Sequence, residues 1–291
     1  PGIHGAVRAC VDVQATVAQQ AGVGRYVREL VRRLPAARAG DELILLHFDF
    51  LGRRPQEVVP GAPRRIVRAV PRRLVQAGWS VAGFPPFDLF SGPADVFHFP
   101  NFVVPPLRRG SAVVTVHDLA FLRFPETAEP RNRAFLARHV LPGTERADAV
   151  IVPSRFVAEE VVDRFGLPEA KVHAIAEGVD ERFRPSSPGE IAGARRRLGL
   201  DAPYLLHVGT VEPRKNLEFL VEVFERLEGF DGDLVLAGML GWRYEAILER
   251  IRSSPLAARI RQLRHVPDDV LPALYSGAAA FVFPSLYEGF G

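Results

Sequence analysis

The feature that most constrains this chain is a rhythm. Short apolar runs of strand length alternate with stretches whose apolar residues recur at helical spacing. The runs "VRACVDV" (7–13), "ELILLHF" (42–48), "RRIVRAV" (64–70), "DVFHF" (95–99), "AVVTV" (112–116) and "AVIVP" (149–153) read as strands, the first of them buried. After the first, Val23, Tyr26, Val27, Leu30, Val31 and Leu34 recur at helical spacing. Ser154 is a good N-cap for a helix reaching about Phe165. Such alternation predicts an α/β protein with mostly parallel sheets.

The most loop-like stretch, "GVDERFRPSSPGE" (178–190), interrupts the rhythm, which then restarts. Strands are expected at "YLLHVG" (204–209), "DLVLAG" (233–238) and "AAAFVFP" (278–284), with helices from about Arg214, at 243–252 and at 268–276. A junction near residue 185 gives two domains, 1–185 and 186–291. The second has three or four strands, few for an open sheet, and it stops at a strand-to-loop junction where a covering helix should follow. The expectation is that this domain is incomplete and that the sequence is not the whole protein.

A length of 291 residues suits two domains, and 47% hydrophobic residues suffice for sizeable cores. No apolar run approaches the roughly 18 residues of a membrane span. "PGIHGAVRACVDV" lacks the basic-then-apolar order of a signal peptide. The single cysteine, Cys10, excludes an internal disulfide, fits a reducing cytoplasm and reads as a small core residue. A net charge of +3 gives no argument for a nucleic-acid partner. Of 37 basic residues only Lys171 and Lys215 are lysine. Arginine doublets therefore read as compositional bias, and the two lysines stand out.

Lys215 lies in "HVGTVEPRKNLEFLVEVF" (207–224), where Leu217, Leu220, Val221 and Phe224 form one apolar helical face. Arg214 and Lys215 fall at the expected helix start, the positive pole, where cations are disfavoured. An anion sharing the site, such as a phosphate at the carboxyl edge of a parallel sheet, would explain them; so would a frayed turn with two solvated side chains. "QQAGVGRYVREL" (19–30) is a second glycine-rich helix entry, but Val27 stands at the third glycine position of a dinucleotide fingerprint. It opens backbone N–H groups to a ligand or is a simple loop. His117 in "VVTVHDLAF" and His98 in "FHFPN" follow or end strands; each is a cleft histidine or a core histidine bonded to backbone. "DGD" (231–233) reads as a turn and Asp268-Asp269 as helix-start acids. With no cysteine pair, H-E-x-x-H or G-x-S-x-G, no protein-bound metal or other cofactor is expected.

Taken in order, "AGVGRYVREL", "VHDLAF", "VPSRF" (152–156), "EGVDERFRP" (177–185), "HVGTVEPRKN" and "FVFPSLYEGFG" resemble the retaining, nucleotide-sugar-dependent glycosyltransferases of family four over nearly the whole chain. The resemblance implies a GT-B fold, two Rossmann-like domains facing across a cleft, the first on the acceptor side and the second binding the donor. It implies that Arg214 and Lys215 neutralise the donor diphosphate, in a loop that includes Gly209 and Thr210. Many relatives carry arginine at the Thr210 position, so Arg214 takes over part of that role. Glu288, opening the Glu-x7-Glu motif, would hold hydroxyls of the transferred sugar, with Gly289 and the backbone N–H groups of Phe290 and Gly291 beside it. His117 would contact the same sugar near the reacting carbon. Gly22 and Gly24 would line the cleft, Val266 would lie by the nucleobase, and the acceptor would dock near Asn101. The second motif glutamate is expected eight residues after Glu288, beyond Gly291.

The function so implied is metal-independent hexosyl transfer in polysaccharide biosynthesis, with a glycan, lipid-linked or small-molecule acceptor. "GTVEPRKN" favours members that use a guanosine donor and transfer mannose. A non-catalytic nucleotide- or sugar-binding relative, or an inactive fragment of such an enzyme, is the competing reading. A nicotinamide-dependent dehydrogenase is disfavoured by the failed glycine fingerprint. "RRIVRAVPRRLVQAGWSVAGF" (64–84) mixes arginines with apolar residues and Trp79: a surface resting on an anionic membrane, or a strand and helix with exposed arginines. The expected location is the cytoplasm, or the cytoplasmic membrane face.

Overall fold

The computed structural model describes residues 6–18, 22–37, 40–52 and 63–291. The opening residues of "PGIHGAVRACVDV" and residues 19–21 of "QQAGVGRYVREL" lie outside that set. The chain divides into two compact units. One comprises Pro1–Leu119, Ala134–Glu177 and Gly289–Gly291; the other comprises Ala120–Arg133 and Gly178–Glu288. In sequence the main division falls at Glu177/Gly178, just before the loop-like stretch.

The first unit is built on a parallel sheet of β1 (Arg8–Asp12), β2 (Glu42–Phe48), β3 (Arg64–Val67), β4 (Val96–Phe99), β5 (Ser111–Thr115), β6 (Ala149–Val152) and β7 (Val172–Ala174), in the order β3-β2-β1-β4-β5-β6-β7. β1 is an interior strand, with Val11 registered against Leu45 on one side and His98 on the other. Strands covered on both faces need apolar residues on both, and Cys10 and Val11 are both buried. Helices α1 (Gln14–Ala18), α2 (Val23–Ala37), α3 (Arg72–Ala82) and α4 (Asp88–Ser91) follow the early strands. Val27 and Val31, one helical turn apart on α2, pack with Val11, Val13 and Leu45. The expected strand 64–70 pairs only to Val67, because the chain turns there toward Pro71 and α3.

α5 (Ala120–Arg123) and α6 (Pro130–Arg146) precede β6. α7 (Arg155–Phe165) starts where Ser154 Oγ accepts from Val157 N–H at 3.3 Å, and ends at Gly166 with φ 64°.

The second unit carries α8 (Pro188–Leu198), β8 (Tyr204–Val208), α9 (Leu217–Glu225), β9 (Asp233–Ala237), α10 (Glu245–Arg252), β10 (Ile260–Arg264), α11 (Leu271–Ser276) and β11 (Ala280–Phe281). Its sheet is parallel, in the order β10-β9-β8-β11. Alternation along β9 sends Val235 and Ala237 to one core, with Leu206, Leu271 and Leu274, and Leu234 and Leu236 to the other, with Leu217, Val221 and Phe224. Both faces of the sheet are therefore covered by helices, the arrangement a parallel sheet requires.

α8 falls partly in the stretch read as loop. Ser187 and Glu190 form a reciprocal capping box, with Pro188 in the first turn. The S-x-x-E signature was in the sequence, hidden among prolines and serines. β10, "IRQLR", was missed because an edge strand with alternate polar residues carries a weak signal. Among the described residues no helix is long and apolar enough to cross a membrane.

Candidate functional site

In the second unit the chemistry gathers at the carboxyl end of β8. The strand leaves the sheet at Gly209, whose N–H donates to Ala237 O at 2.9 Å. A side chain at Gly209 would place Cβ 3.0 Å from His207 Nε2, and a side chain at Gly238 would run into the Gly209 carbonyl. Two glycines thus let the loops after β8 and β9 pass close together.

Thr210 and Val211 lead to Glu212 and a 3₁₀ turn, Pro213–Lys215. Asn216 follows at φ 56°, and α9 begins only at Leu217. The helix expected from Arg214 is corrected here: the left-handed residue separates the cations from α9, so they sit on a tight turn ahead of it.

The turn aims both cations at one carboxylate. Arg214 Nη1 lies 2.8 Å from Glu288 Oε2, and Lys215 Nζ lies 2.6 Å from Glu288 Oε1. Arg214 Nη2 also reaches Glu212 Oε1 at 2.8 Å, and Arg214 Nη1 donates to Tyr287 O at 2.7 Å. The Leu286 N–H donates to Arg214 O at 2.9 Å, which fixes the Glu288 loop against the turn. Lys215 Nζ sits 5.0 Å from the Phe283 ring centroid, and His207 stacks on that ring at 5.9 Å. The Lys215 and Arg214 side chains are only 11% and 15% exposed, so water screens them weakly.

Burial pushes the Glu212 carboxyl above its ordinary range, against the pull of Arg214 and Lys215. Burial also acts on Glu288, but the Arg214 charge and the Lys215 hydrogen bond outweigh it and hold Glu288 below the usual range. Burial lowers His207, whose Nδ1–H donates to Val282 O at 3.1 Å while its buried Nε2 has no partner among the described residues. The anion that the paired cations called for is thus, in this structure, the protein's own Glu288.

Of the other residues singled out in this unit, Val266 is buried in the core with Leu271 and Leu274. Its side chain is not part of the charged cluster. The residues after Glu288 belong to the first unit; there Gly289 is buried, whereas Phe290 and Gly291 are exposed. Glu212 escaped the sequence reading; its signal was an acid two residues before the cation pair, in "EPRK".

In the first unit His117 lies just past β5, its side chain 12% exposed. Its Nε2 donates to Pro100 O at 2.9 Å, and its Nδ1 lies 3.6 Å from Glu177 Oε1. Tyr26 and Phe102 meet the ring edge-on at 4.8 and 5.6 Å. His98, by contrast, is a core histidine. It is buried in β4, bonded to Thr115 Oγ1 at 2.9 Å, and lowered to about 4 by burial and by His117. Gly22 is exposed at φ 57°, Gly24 is buried in the first turn of α2, and Asn101 is exposed after β4. Trp79 turns inward: its Nε1–H donates to Pro85 O at 2.6 Å and its ring contacts Phe48 and Phe87.

The family model described as Glycosyltransferase Family 4 matches residues 21–183, and that described as Glycosyl transferases group 1 matches residues 193–291. O-antigen chain mannosyltransferase B of Escherichia coli is 29% identical over 292 residues, covering 93% of this chain and 74% of that protein. Serotype-specific mannosyltransferase WbdA of Escherichia coli is 32% identical over 200 residues, 62% of this chain and 24% of that protein. Among solved structures, sucrose-phosphate synthase from Thermosynechococcus elongatus superposes with a TM-score of 0.71 at 22% identity, over 98% of this chain and 77% of that one. That likeness shows the fold, two Rossmann-like α/β units of GT-B type.

Proposed function

The chain belongs to glycosyltransferase family 4, and from that membership we propose that it transfers a hexose, mannose by preference, from a nucleoside-diphosphate sugar to a glycan or lipid-linked acceptor with retention of configuration. The mannose preference is supported by two relatives named as mannosyltransferases. The observation that carries the donor assignment is the convergence of Arg214 and Lys215 on one carboxylate at the carboxyl end of β8, within 2.8 Å of it. Two weakly screened cations on a tight turn suit a diphosphate.

In this reading the bond from the anomeric carbon to the diphosphate oxygen breaks while a bond to the acceptor oxygen forms on the same face. The acceptor's proton goes to the departing phosphate. Arg214 and Lys215 stabilise the charge that grows on that phosphate, an interaction stronger in the transition state than in the ground state. The Gly209–Thr210 backbone lies on the same loop, between β8 and that turn. Glu288, released from the cations by the diphosphate, takes hydroxyls of the transferred sugar, with the backbone of Gly289, Phe290 and Gly291 beside it. Val266, whose side chain is committed to the core, has only its backbone to offer the nucleobase. His117, Gly22 and Gly24 belong to the same proposal, His117 toward the sugar, and Asn101 toward the acceptor. No protein-bound metal is assigned, because the two cations do the neutralising. The place of action is the cytoplasm or its membrane face, and the exposed Leu74, Val81 and Phe84 support peripheral contact with lipid.

Calorimetry with GDP and UDP tests the donor assignment. Lys215→Ala should weaken binding by about 1–3 kcal/mol, the worth of a charge-assisted bond. Turnover of GDP-mannose with a mannoside acceptor, the product's anomeric configuration read by NMR, tests the rest. Absence of nucleotide binding together with absence of transfer from any nucleotide sugar would overturn the proposal.

A further inference from the structure

Among the described residues, four other than glycine take left-handed backbone angles: Phe102, Asn216, Arg243 and Arg264. L side chains rarely adopt that conformation, so each calls for a reason. Asparagine tolerates it, and Asn216 uses it to close the cation turn. The Phe102 ring packs edge-on against His117. Arg243 donates from Nη1 to Glu126 O. Arg264, at φ 51°, has no such account. It is exposed, and among the described residues its guanidinium has no hydrogen-bond, ion-pair or ring partner.

Arg264 is the last residue of β10, where the pairing with β9 slips. Gln262 registers against Leu236 and Arg264 against Ala237, so two steps of β10 span one step of β9. Such a bulge re-aims a side chain at a sheet edge. Arg264 O accepts from the Gly238 N–H at 2.7 Å, which fixes the strand end beside the loop after β9. Gly238 in turn lies against the Gly209 carbonyl, where the loop to Arg214 and Lys215 begins. The carboxyl ends of β8, β9 and β10 therefore form one edge of the sheet. The cation pair lies past one end of it, and Arg264 stands at the other, two strand spacings or about 10 Å away.

We infer that Arg264 reads the base of the donor nucleotide and that this base is guanine. The assignment rests on the proposed donor site for where the diphosphate lies; the identity of the base follows from Arg264 itself. A nucleotide laid across the carboxyl edge, its phosphates at Arg214 and Lys215, carries its base past β9 toward β10, because the ribose separates the two. A guanidinium has donors only, in a planar fork. Guanine offers that fork two neighbouring acceptors, O6 and N7, whereas adenine sets a donor beside N7. On the matching edge uracil has O4 alone, and cytosine has a donor. Glycine would hold the left-handed position without strain; an arginine there is explained by a contact that its side chain alone can make.

Calorimetry with GDP, IDP, ADP and UDP tests the assignment. Inosine keeps O6 and N7, so GDP and IDP should both bind at least tenfold more tightly than ADP or UDP. Arg264→Gly keeps the left-handed backbone and removes the fork; Arg264→Asn, a residue that also tolerates it, is the second variant. Both should raise the Kd of GDP and IDP about tenfold and leave those of ADP and UDP within twofold. Arg264→Lys keeps the charge without the fork and should not restore the preference. 7-Deaza-GDP, which lacks the N7 acceptor, should bind the unsubstituted protein several-fold more weakly than GDP, and Arg264→Gly no more weakly. A loss shared equally by all four diphosphates would mean a phosphate contact and overturn the inference. So would full rescue by lysine, or a GDP preference that both Arg264→Gly and Arg264→Asn leave intact. If no nucleoside diphosphate binds the unsubstituted protein, the donor reading itself fails. If all bind without a base preference, the donor reading stands and only the assignment to Arg264 falls.

Discussion

Lys215 Nζ and Glu288 Oε1 lie 2.6 Å apart although 73 residues separate them in the chain. With Arg214 on the carboxylate's other oxygen, Glu288 is paired with two cations at once. On the proposed donor reading, an incoming diphosphate displaces that carboxylate before it uses the cations, and the released carboxylate takes the sugar hydroxyls.

This exchange predicts opposite effects from one substitution. Glu288→Gln removes the competing charge, so free GDP should bind more tightly by roughly 1 kcal/mol or more, the low end for a bond to a charged group. Sugar transfer should fall at least tenfold, because the neutral amide is a poorer acceptor for the hydroxyls. Calorimetry and kcat read the two effects. Weaker GDP binding in this variant would remove the exchange.

The loop that carries the cations depends on Gly238, which approaches the Gly209 carbonyl where a Cβ would collide. Gly238 N–H also donates to Arg264 O at 2.7 Å, so the backbone cannot retreat without losing a sheet contact. Gly238→Ala should destabilise the protein by about 1–3 kcal/mol and weaken GDP binding. Gly229→Ala, at a position with open space but φ 73°, is the comparison: a smaller stability loss with GDP affinity unchanged. A denaturant midpoint for Gly238→Ala equal to that of the unsubstituted protein would contradict the close approach.

Cys10 is fully buried in β1, and burial, with the nearby Asp12 charge, pushes its thiol up to about 12. Only the thiolate reacts, so a thiol reagent at pH 8 should leave the folded protein unlabelled and modify one equivalent after unfolding. Rapid labelling of native protein would place Cys10 outside the core.

His98 sets a pH response. Its pKa of about 4 in the fold lies below the ordinary 6.5, so between those values the unfolded chain binds a proton that the fold refuses. Stability therefore rises with pH across that window and is fully present above it; acidification removes up to about 3 kcal/mol through this residue. Burial lowers His47 and His207 too, and they add to the same slope. In His98→Gln the dependence of the melting temperature on pH between 4 and 6.5 should flatten relative to the unsubstituted protein. An unchanged slope would show that His98 does not carry this response.

Legibility along the chain followed signal strength. Ser154 announced α7 through a polar cap before an apolar-periodic run, and the cap bond is there. β8 and β9 were readable because buried parallel strands are almost continuously apolar. α8 was not, because its capping box lay inside a proline- and serine-rich stretch. α6, 17 residues with Pro142 and Gly143 inside, was missed because internal breakers blur its helical period. β7, three residues at a sheet edge, has too little length for any period.

Residue types and local order alone determined the α/β rhythm, the oddness of two adjacent cations after a strand, and the acid-glycine loop that closes the sequence. Those are local properties, set by hydrophobic period and helix polarity. Tertiary structure alone decided that Asn216 separates the cations from α9, that Glu212 backs Arg214, and that Glu288 is the anion between them. It also decided which of two similarly placed histidines is core and which is partly exposed: His98 faces Thr115 inside the sheet, whereas His117 leaves it two residues beyond β5. The reason is physical. A charge's partner and a ring's burial depend on which distant segments the parallel sheets bring together, and no local period in the chain encodes that pairing.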